Sequence, residues 1–198
     1  MALIRLALVT VLSLAFTPVA AQDFQKGYDA LQAGDYATAV HEWKPLAEAG
    51  DANAQRNLGL MYDTGTGVPQ DDKEAVKWYR LAADQGGARA QFELGVKYQV
   101  GLGVLQNHDK ALMWYQLAAK QGHADAQNQL GNIYVRGDGV PASYVMAFMW
   151  YSISSANGNR AASNLRDKAS AVLSSEELSQ GRFMAQECMS SGYKQCGY

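Results

Sequence analysis

Residues 51–86 read DANAQRNLGLMYDTGTGVPQDDKEAVKWYRLAADQG, and this stretch decides the fold because it recurs twice more without a gap. The second copy occupies residues 87–122 and the third occupies residues 123–158, so the period is 36 residues in both steps. Self-similarity at a period of about 20 to 50 residues is typical of proteins built from units that stack side by side. The sequence therefore predicts a repeat protein with a core that runs along the stack.

The first predicted helix of each copy carries one apolar stripe. In the first copy this stripe is Ala54, Leu58 and Tyr62, which are spaced four residues apart. We expect these helices to begin near Ala54, Ala90 and Ala126. A glycine stands inside each of them, at Gly59, Gly95 and Gly131. Glycine costs about 1 kcal/mol relative to alanine inside a helix, so its recurrence predicts a close approach of another part of the protein.

A loop with the pattern Gly-x-Gly-Val follows the first helix, at residues 65–68, 101–104 and 137–140. The two glycines allow left-handed backbone conformations that end the helix and reverse the chain. The valine can then reach the core between the helices. A phosphate-binding loop would need a third glycine and a preceding strand, and the sequence provides neither.

The second predicted helix of each copy carries an aromatic pair on the same face as small residues. The recurring sets are Ala75, Trp78, Tyr79 and Ala82, then Ala111, Trp114, Tyr115 and Ala118, then Ala147, Trp150, Tyr151 and Ser154. Spacings of three, four and seven residues place each set on one side of a helix. Large rings that meet small residues on neighbouring helices predict a packed core. An exposed aromatic platform for a sugar is the alternative.

The full pattern is A-x-A-Q-x-x-L-G-x-x-Y-x-x-G-x-G-V followed by A-x-x-W-Y-x-x-A-A-x-Q-G, and it resembles the Sel-one-like repeat, a relative of the tetratricopeptide repeat. Residues 51–122 meet it almost residue for residue, whereas residues 154–157 of the third copy depart from it. The resemblance covers about residues 24–158. It implies an all-α, right-handed α/α superhelical solenoid that mediates protein–protein contacts, commonly in bacterial signalling or host interaction. It implies no catalytic residue and no cofactor.

The two ends of the stack are predicted to be caps. Residues 22–50 read as a divergent N-terminal capping repeat in which two helices meet at residues 34–36. Residues 159–198 read as C-terminal capping helices and a tail. A helix over about residues 175–189 is expected to begin with a capping box formed by Ser174 and Glu177.

The cysteines of the chain are Cys188 and Cys196. In an exported protein such a pair predicts a disulfide that ties the tail to the last helix. A redox-active pair is the alternative, but the sequence has neither a CxxC motif nor the pattern of a thioredoxin-like fold.

Residues 1–21 are predicted to be a signal peptide. Arg5 gives the start a positive charge, residues 6–16 are apolar, and small residues precede Gln22. A retained membrane anchor is the alternative, but an apolar run of about a dozen residues is shorter than the ~20 that span a bilayer. We therefore expect a periplasmic or secreted bacterial protein with no membrane insertion after cleavage.

Charge and residue types argue against several classes of function. The formal net charge is −2 at pH 7, so the chain has no electrostatic reason to bind nucleic acid. His41, His108 and His123 are isolated, and no zinc or nucleophile motif is present. We expect no metal, no cofactor and no enzymatic activity. The expected partner is a protein or peptide, and the chain itself is expected to be a monomer or weak dimer.

The candidate binding residues are those that differ between copies on the first helices, which line the concave surface in this class of superhelix. We call them the variable stripe: Arg56, Leu60, Asp63, Arg89, Phe92, Glu93, Val96, Gln99, Asn128, Asn132 and Val135. Leu60, Phe92 and Val96 are apolar where the packing pattern does not require it, which suits a peptide groove. Scattered surface hydrophobic residues are the alternative. The favoured function is an exported adaptor, ahead of a binder of cell-wall glycan or peptide, and further ahead of a hydrolase.

Two further features need an explanation. The second helix of the third copy has an outer stripe without charged residues, at Val145, Met149, Ser152 and Ala156. We expect the C-terminal capping helix to cover it, with a partner or a second copy as the alternative.

Residues 136–138 spell Arg-Gly-Asp, but the glycine is the loop glycine of the repeat, so an adhesive role is not favoured.

Overall fold

The computed structural model describes residues 23–197, and the regular structure in this range is entirely helical. The predicted signal peptide lies outside the described residues. The helices are α1 (Phe24–Gln32), α2 (Tyr36–Glu48), α3 (Ala52–Thr64), α4 (Asp72–Asp84), α5 (Ala88–Val100), α6 (His108–Ala119), α7 (Ala124–Arg136), α8 (Tyr144–Ala156), α9 (Arg160–Ser170) and α10 (Ser175–Ser190).

The helices pack mainly on their neighbours in the chain. Within the three copies, α3 packs on α4, α5 on α6 and α7 on α8, and the copies join through α2 with α3, α4 with α5 and α6 with α7. Contacts limited to adjacent units characterise a solenoid, so the predicted all-α solenoid is confirmed. The first-type helices begin at Ala52, Ala88 and Ala124. These starts lie two residues before the expected ones, because residues 51, 87 and 123 are the N-caps.

The helical glycines make room for the tyrosine of the same copy. A Cβ atom on Gly59 would lie 2.7 Å from the Tyr79 ring, and one on Gly131 would lie 2.4 Å from the Tyr151 ring. Gly95 stands in the same relation to Tyr115. These tyrosines are buried. The recurring aromatic residue is therefore a core residue, and the recurring glycine is the space that it needs.

The N-terminal copy follows the same rule with a different ring. A Cβ atom on Gly27 would lie 2.5 Å from Nε1 of Trp43, so Gly27 corresponds to Gly59 and Trp43 corresponds to Tyr79. The loop between α1 and α2 spans residues 33–35, whereas the loop between α3 and α4 spans residues 65–71. Positions on α1 therefore match positions on α3 that stand 32 residues later, while positions on α2 and α4 differ by 36.

The second glycine of each loop packs against the preceding copy. Gly67 and Gly103 have positive φ angles of 75° and 72°, as the loop pattern predicts. A Cβ atom on Gly103 would lie 2.2 Å from the carbonyl oxygen of Asp72, and one on Gly67 would lie 2.6 Å from Cβ of Tyr36. These glycines are therefore required by the contact between copies as well as by the turn.

A buried glutamine links each copy to its neighbour. Nε2 of Gln55 donates to the carbonyl oxygen of Ala47 at 3.0 Å, and its Oε1 accepts from Nε2 of Gln85 at 2.8 Å. Gln91 and Gln127 repeat this pattern one and two copies later. Buried polar groups need such partners, which explains why this glutamine recurs in the pattern.

The C-terminal helix packs on the predicted outer stripe of α8, but Ala156 of that stripe stays exposed. Met149 is fully buried, and a Cβ atom on Gly181 of α10 would lie 2.7 Å from the Phe148 ring. The capping box of Ser174 and Glu177 at the start of α10 is present. Within residues 23–197, no helix combines the length and the apolar character needed to cross a membrane.

The tail is fixed to the end of the stack. The predicted disulfide joins Cys188 to Cys196. Within this loop, the hydroxyl of Tyr193 donates to Oδ1 of Asn157 at 2.9 Å. Asn157 replaces the glutamine that the first two copies have at this position, and it still donates to Gln127. The tail thus completes the third copy where its sequence departs from the pattern.

Candidate functional site

The variable stripe lies at the border of the core. Its residues are half-buried on α3, α5 and α7, except for Arg89, which is exposed. Leu60, Phe92 and Val96 pack against the core with one side of their side chains. The stripe therefore combines packing with partial access to solvent.

Three polar members of the stripe accept hydrogen bonds from the buried tyrosines. The Tyr79 hydroxyl donates to Oδ2 of Asp63 at 3.3 Å. The Tyr115 hydroxyl donates to Oε1 of Gln99 at 2.7 Å, and the Tyr151 hydroxyl donates to Oδ1 of Asn132 at 2.8 Å. Asp63 and Gln99 occupy equivalent positions, but the third copy has Val135 there. Tyr151 therefore bonds to a residue one helical turn earlier.

Sequence reasoning missed a buried ion cluster beside this stripe. Lys97 is 3% exposed and stands where the other copies have Met61 and Ile133. Its Nζ contacts a carboxylate oxygen of Asp63 and lies 2.7 Å from Oδ1 of Asp72. Burial alone would lower the pKa of Lys97, but the hydrogen bonds to the two carboxylates outweigh it and raise the pKa above its usual value. The break in the apolar pattern at position 97 was the available signal.

A second charged group contains Arg56, Arg89 and Glu93, which are near enough to affect one another's ionisation. Burial raises the pKa of Glu93 even though the two guanidinium groups act in the opposite direction. Burial lowers the pKa of Arg56, and the charge of Arg89 lowers it further. Among the described residues, no ion pair joins these three side chains. The three side chains therefore comprise two cationic groups and one carboxyl group that do not pair with one another.

Two polar atoms of the stripe are buried without a hydrogen-bond partner in the described part of the chain. They are Nε of Arg56 and Oδ1 of Asn128. Nη1 of Arg56 donates to Oδ1 of Asn57 at 2.8 Å, so its guanidinium group is only partly satisfied. Buried polar groups without a partner are uncommon and cost about 1–3 kcal/mol each. They mark places where a ligand could supply the missing bond.

A cavity of about 200 Å³ lies between α1, α2 and α3. We call it the α1–α3 pocket, and its lining residues are Leu31, Trp43, Asn57, Leu60, Met61, Thr64 and Thr66. Leu60 alone among them belongs to the variable stripe. The sequence did not indicate this pocket, because α1 must first be aligned with α3 at the offset of 32 residues.

A half-buried ring pair joins the second and third copies. The Phe92 ring stacks on the His123 imidazole with centroids 4.9 Å apart.

In the Arg-Gly-Asp tripeptide, Nε of Arg136 lies 2.5 Å from Oδ2 of Asp138, so the two charges satisfy each other. Residues 23–197 contain no group of three or more histidine, cysteine or acidic side chains placed to hold a metal ion.

The repeat region matches a known family. The sequence model of the family described as Sel1 repeat matches residues 52–87, 88–123 and 124–159. Together these residues make up more than half of the chain. The chain belongs to the Sel1 repeat family. Sel1 repeat proteins generally mediate contacts between proteins, so the resemblance read from residues 51–122 is confirmed at the level of family and fold.

Two solved structures are similar to this Sel1 repeat chain. One is a Sel1 repeat protein from Oxalobacter formigenes, with 35% sequence identity and a TM-score of 0.66 over 71% of this chain and 58% of that chain. The other is a protective antigen present in uropathogenic Escherichia coli strains, with 28% identity and a TM-score of 0.61 over 86% of this chain and 46% of that one. Both relatives are therefore longer than the region they share with this chain. No curated protein matches the chain at a significant level.

Proposed function

We propose that the chain is an exported bacterial adaptor that binds an extended segment of another protein along the variable stripe. The observation that carries this proposal is the pair of buried, unpartnered polar atoms, Nε of Arg56 and Oδ1 of Asn128. They lie in equivalent positions on α3 and α7, two copies apart. A partner segment that follows the first-type helices would pass both atoms and could satisfy them.

The composition of the stripe supports a protein partner. Leu60, Phe92 and Val96 offer half-buried apolar surface, and Arg56 and Glu93 offer charge beside it. Apolar anchors within a polar rim are typical of surfaces that bind peptide segments. The alternative of a glycan platform is less well supported, because the recurring tyrosines are buried against the helical glycines.

Export is supported by three observations of different kinds. Residues 1–21 have the pattern of a signal peptide. The Cys188–Cys196 disulfide suits an oxidising compartment. The Escherichia coli relative is a protective antigen, which agrees with a location outside the cytoplasm. These observations favour the periplasm or the exterior of the cell, where the partner would be an envelope signalling protein or a host factor.

Site-specific photo-crosslinking in the native envelope tests the proposed function. A photo-reactive residue placed at Arg89 or Asn128 should give one discrete adduct, because both positions belong to the stripe. Matched control positions are Lys77 and Met113, which are exposed and equivalent on α4 and α6. The captured protein is then purified and titrated against the wild-type chain and the Phe92→Ala variant. Equal crosslinking at stripe and control positions, or unchanged affinity of the variant, would contradict the proposal.

A further inference from the structure

We propose that the α1–α3 pocket binds one large apolar side chain of the partner segment, and that Arg56 at its rim binds an acidic side chain next to it. The inference rests on the proposed function, since it names the chemistry of the segment that the stripe would bind. It is carried by the register of the repeats, the size of the pocket and the unsatisfied guanidinium group.

The pocket exists because the N-terminal copy lacks polar residues that close the next interface. Between α3 and α5, Asp63 and Lys97 contact each other, and the Tyr79 hydroxyl donates a hydrogen bond to Asp63. In the N-terminal copy, the counterpart of Asp63 is Leu31, which stands 32 residues earlier. In the first full copy, the counterpart of Lys97 is Met61, which stands 36 residues earlier. Two apolar side chains form no such bridge between the helices. The space between them is left open.

The cavity has the size of one side chain. Its volume is about 200 Å³, and an apolar cavity of about 150 Å³ is enough to hold a benzene ring. Leu31, Leu60, Met61 and Trp43 supply the apolar walls, and Thr64 and Thr66 stand at the more exposed edge. A leucine or phenylalanine side chain therefore fits it, whereas a charged group would lose its hydration there.

Beside the pocket lies Arg56, whose guanidinium group forms no ion pair in residues 23–197, although Glu93 is near enough to affect its ionisation. Asn57 lines the pocket and accepts a hydrogen bond from Nη1 of Arg56 at 2.8 Å, so the guanidinium group stands beside the opening. Nε of Arg56 is buried without an acceptor in residues 23–197. Arginine binds carboxylates through two parallel N–H groups, and Arg89 adds a second positive charge nearby. Charge complementarity therefore selects an acidic side chain as the neighbour of the apolar one.

Short peptides test the two parts of this proposal separately. The protein is taken as it is purified from the envelope, with its N-terminus established by mass spectrometry. The probes are acetyl-GGLEGG-amide, its Leu→Ala counterpart and its Glu→Gln counterpart. We expect the first to shift the methyl NMR signals of Leu31 and Leu60. The Leu→Ala peptide should bind at least about tenfold more weakly, and the Glu→Gln peptide about fivefold more weakly.

Matched protein variants locate the binding. Thr64→Trp places a ring at the edge of the pocket and should abolish binding. Val100→Trp places the same ring at the equivalent exposed position of the next copy, and it should change the affinity less than about twofold. Arg56→Gln should remove the preference for glutamate over glutamine and leave the preference for leucine over alanine intact. If the Thr64→Trp variant binds the peptide as tightly as the wild type does, the proposal that the pocket is the binding site is wrong.

Other occupants of the pocket would also overturn the proposal. Nuclear Overhauser contacts from Leu31 to residues before Asp23 would show that the chain's own N-terminal segment fills it. Methyl shifts that depend on protein concentration without peptide would show that a second copy fills it. The proposed function has a separate outcome, since the partner captured at Arg89 or Asn128 could bind the Thr64→Trp variant normally. In that case the stripe remains the binding surface and the pocket assignment alone is wrong.

Discussion

Single residues set how closely the helices of this protein can approach. Gly59 has no Cβ atom, and the Tyr79 ring occupies the place where that atom would stand. The tyrosine hydroxyl then reaches Asp63 on the same helix as the glycine. One small residue therefore fixes both the depth of the ring and the position of a polar member of the variable stripe.

Replacing Gly59 with alanine should destabilise the protein despite the better helix propensity of alanine. Overpacking against a buried ring costs about 1–3 kcal/mol, and the propensity gain returns about 1 kcal/mol. Because the overlap with Tyr79 is severe, we expect a net loss of roughly 2 kcal/mol in the free energy of unfolding, measured by urea denaturation. Asn53→Ala on the exposed side of α3 is the control and should change it by less than about 0.5 kcal/mol. Equal effects would contradict the packing role of Gly59.

His123 links the stability of α7 to pH. Its Nδ1 accepts the backbone N–H of Ala126 at 3.3 Å, which only an unprotonated nitrogen can do. Burial lowers the pKa of His123, the charge of Arg89 lowers it further, and Asp125 opposes both. The unfolded chain therefore binds more protons than the folded chain between the two pKa values. Stability should rise with pH across that interval and be lost as the pH falls below about 6.5.

The His123→Asn variant isolates this pH dependence. Asparagine is a good N-cap and does not titrate, so the helix start should be kept while the proton linkage disappears. We expect the free energy of unfolding to fall less steeply between pH 7.5 and pH 5 in the variant than in the wild type, as measured by urea denaturation at each pH. Parallel curves for the two proteins would show that His123 does not contribute.

At the scale of helices, Lys97 connects α5 to α3 and α4 through ion pairs. It stands on α5 and contacts Asp63 of α3 and Asp72 of α4. The equivalent positions of the other copies carry Met61 and Ile133, which are buried. Breaking a buried ion pair by removing one partner is more costly than replacing the whole pair with apolar residues. The second repeat has therefore exchanged an apolar contact for a directional one.

A double-mutant cycle measures this contact. Lys97→Met should lower the free energy of unfolding by about 2 kcal/mol, because two partly buried carboxylates lose their cation. Adding Asp63→Leu recreates the residue pair of the α1–α3 interface and should recover part of this loss, so the two effects should be non-additive by about 1 kcal/mol. Lys44→Met on the exposed side of α2 serves as the control. Additive effects in urea denaturation would contradict direct coupling.

At the scale of the whole molecule, a stack of repeats has two ends that must be covered. The N-terminal end is covered by α1 and α2, and the C-terminal end by α9, α10 and the tail. α10 buries Phe148 and Met149, which would otherwise form an exposed apolar face. Exposed apolar patches of this kind promote association. We therefore expect a stack without the C-terminal cap to associate with other copies.

Deleting residues 174–198 should cause the protein to associate or aggregate, because the outer face of α8 loses its cover. Size-exclusion chromatography with light scattering is the measurement. The control is Phe183→Ser, since Phe183 lies on the same helix with 64% of its surface exposed and does not cover α8. This variant should elute like the wild type. A deletion variant that remains a monomer and loses only the helical circular dichroism expected for the 16 residues of α10 would contradict the role given to this helix.

The sequence located part of the candidate site but not its geometry. The differences between copies pointed to Arg56, Leu60 and Asp63 because a repeat fixes which positions may vary. They did not show that Asp63 is engaged by Lys97 and Tyr79, or that Nε of Arg56 has no partner. Such properties depend on side chains that come from different helices, and their spacing in the chain does not reveal which atoms meet.

The sequence by itself determined the family, the helical repeats, the caps and the pairing of Cys188 with Cys196, because each follows from local pattern and period. Only the tertiary structure decided where the stack closes and where it stays open. The α1–α3 pocket is lined by Leu31 and Met61, which occupy the positions that Asp63 and Lys97 hold in the next interface. At the same level between α3 and α5, Asp63 contacts Lys97. The physical reason is that packing between copies depends on which residues face each other across helices. The alignment that pairs Leu31 with Asp63 has an offset of 32 residues, and the contact of Gly27 with Trp43 reveals it.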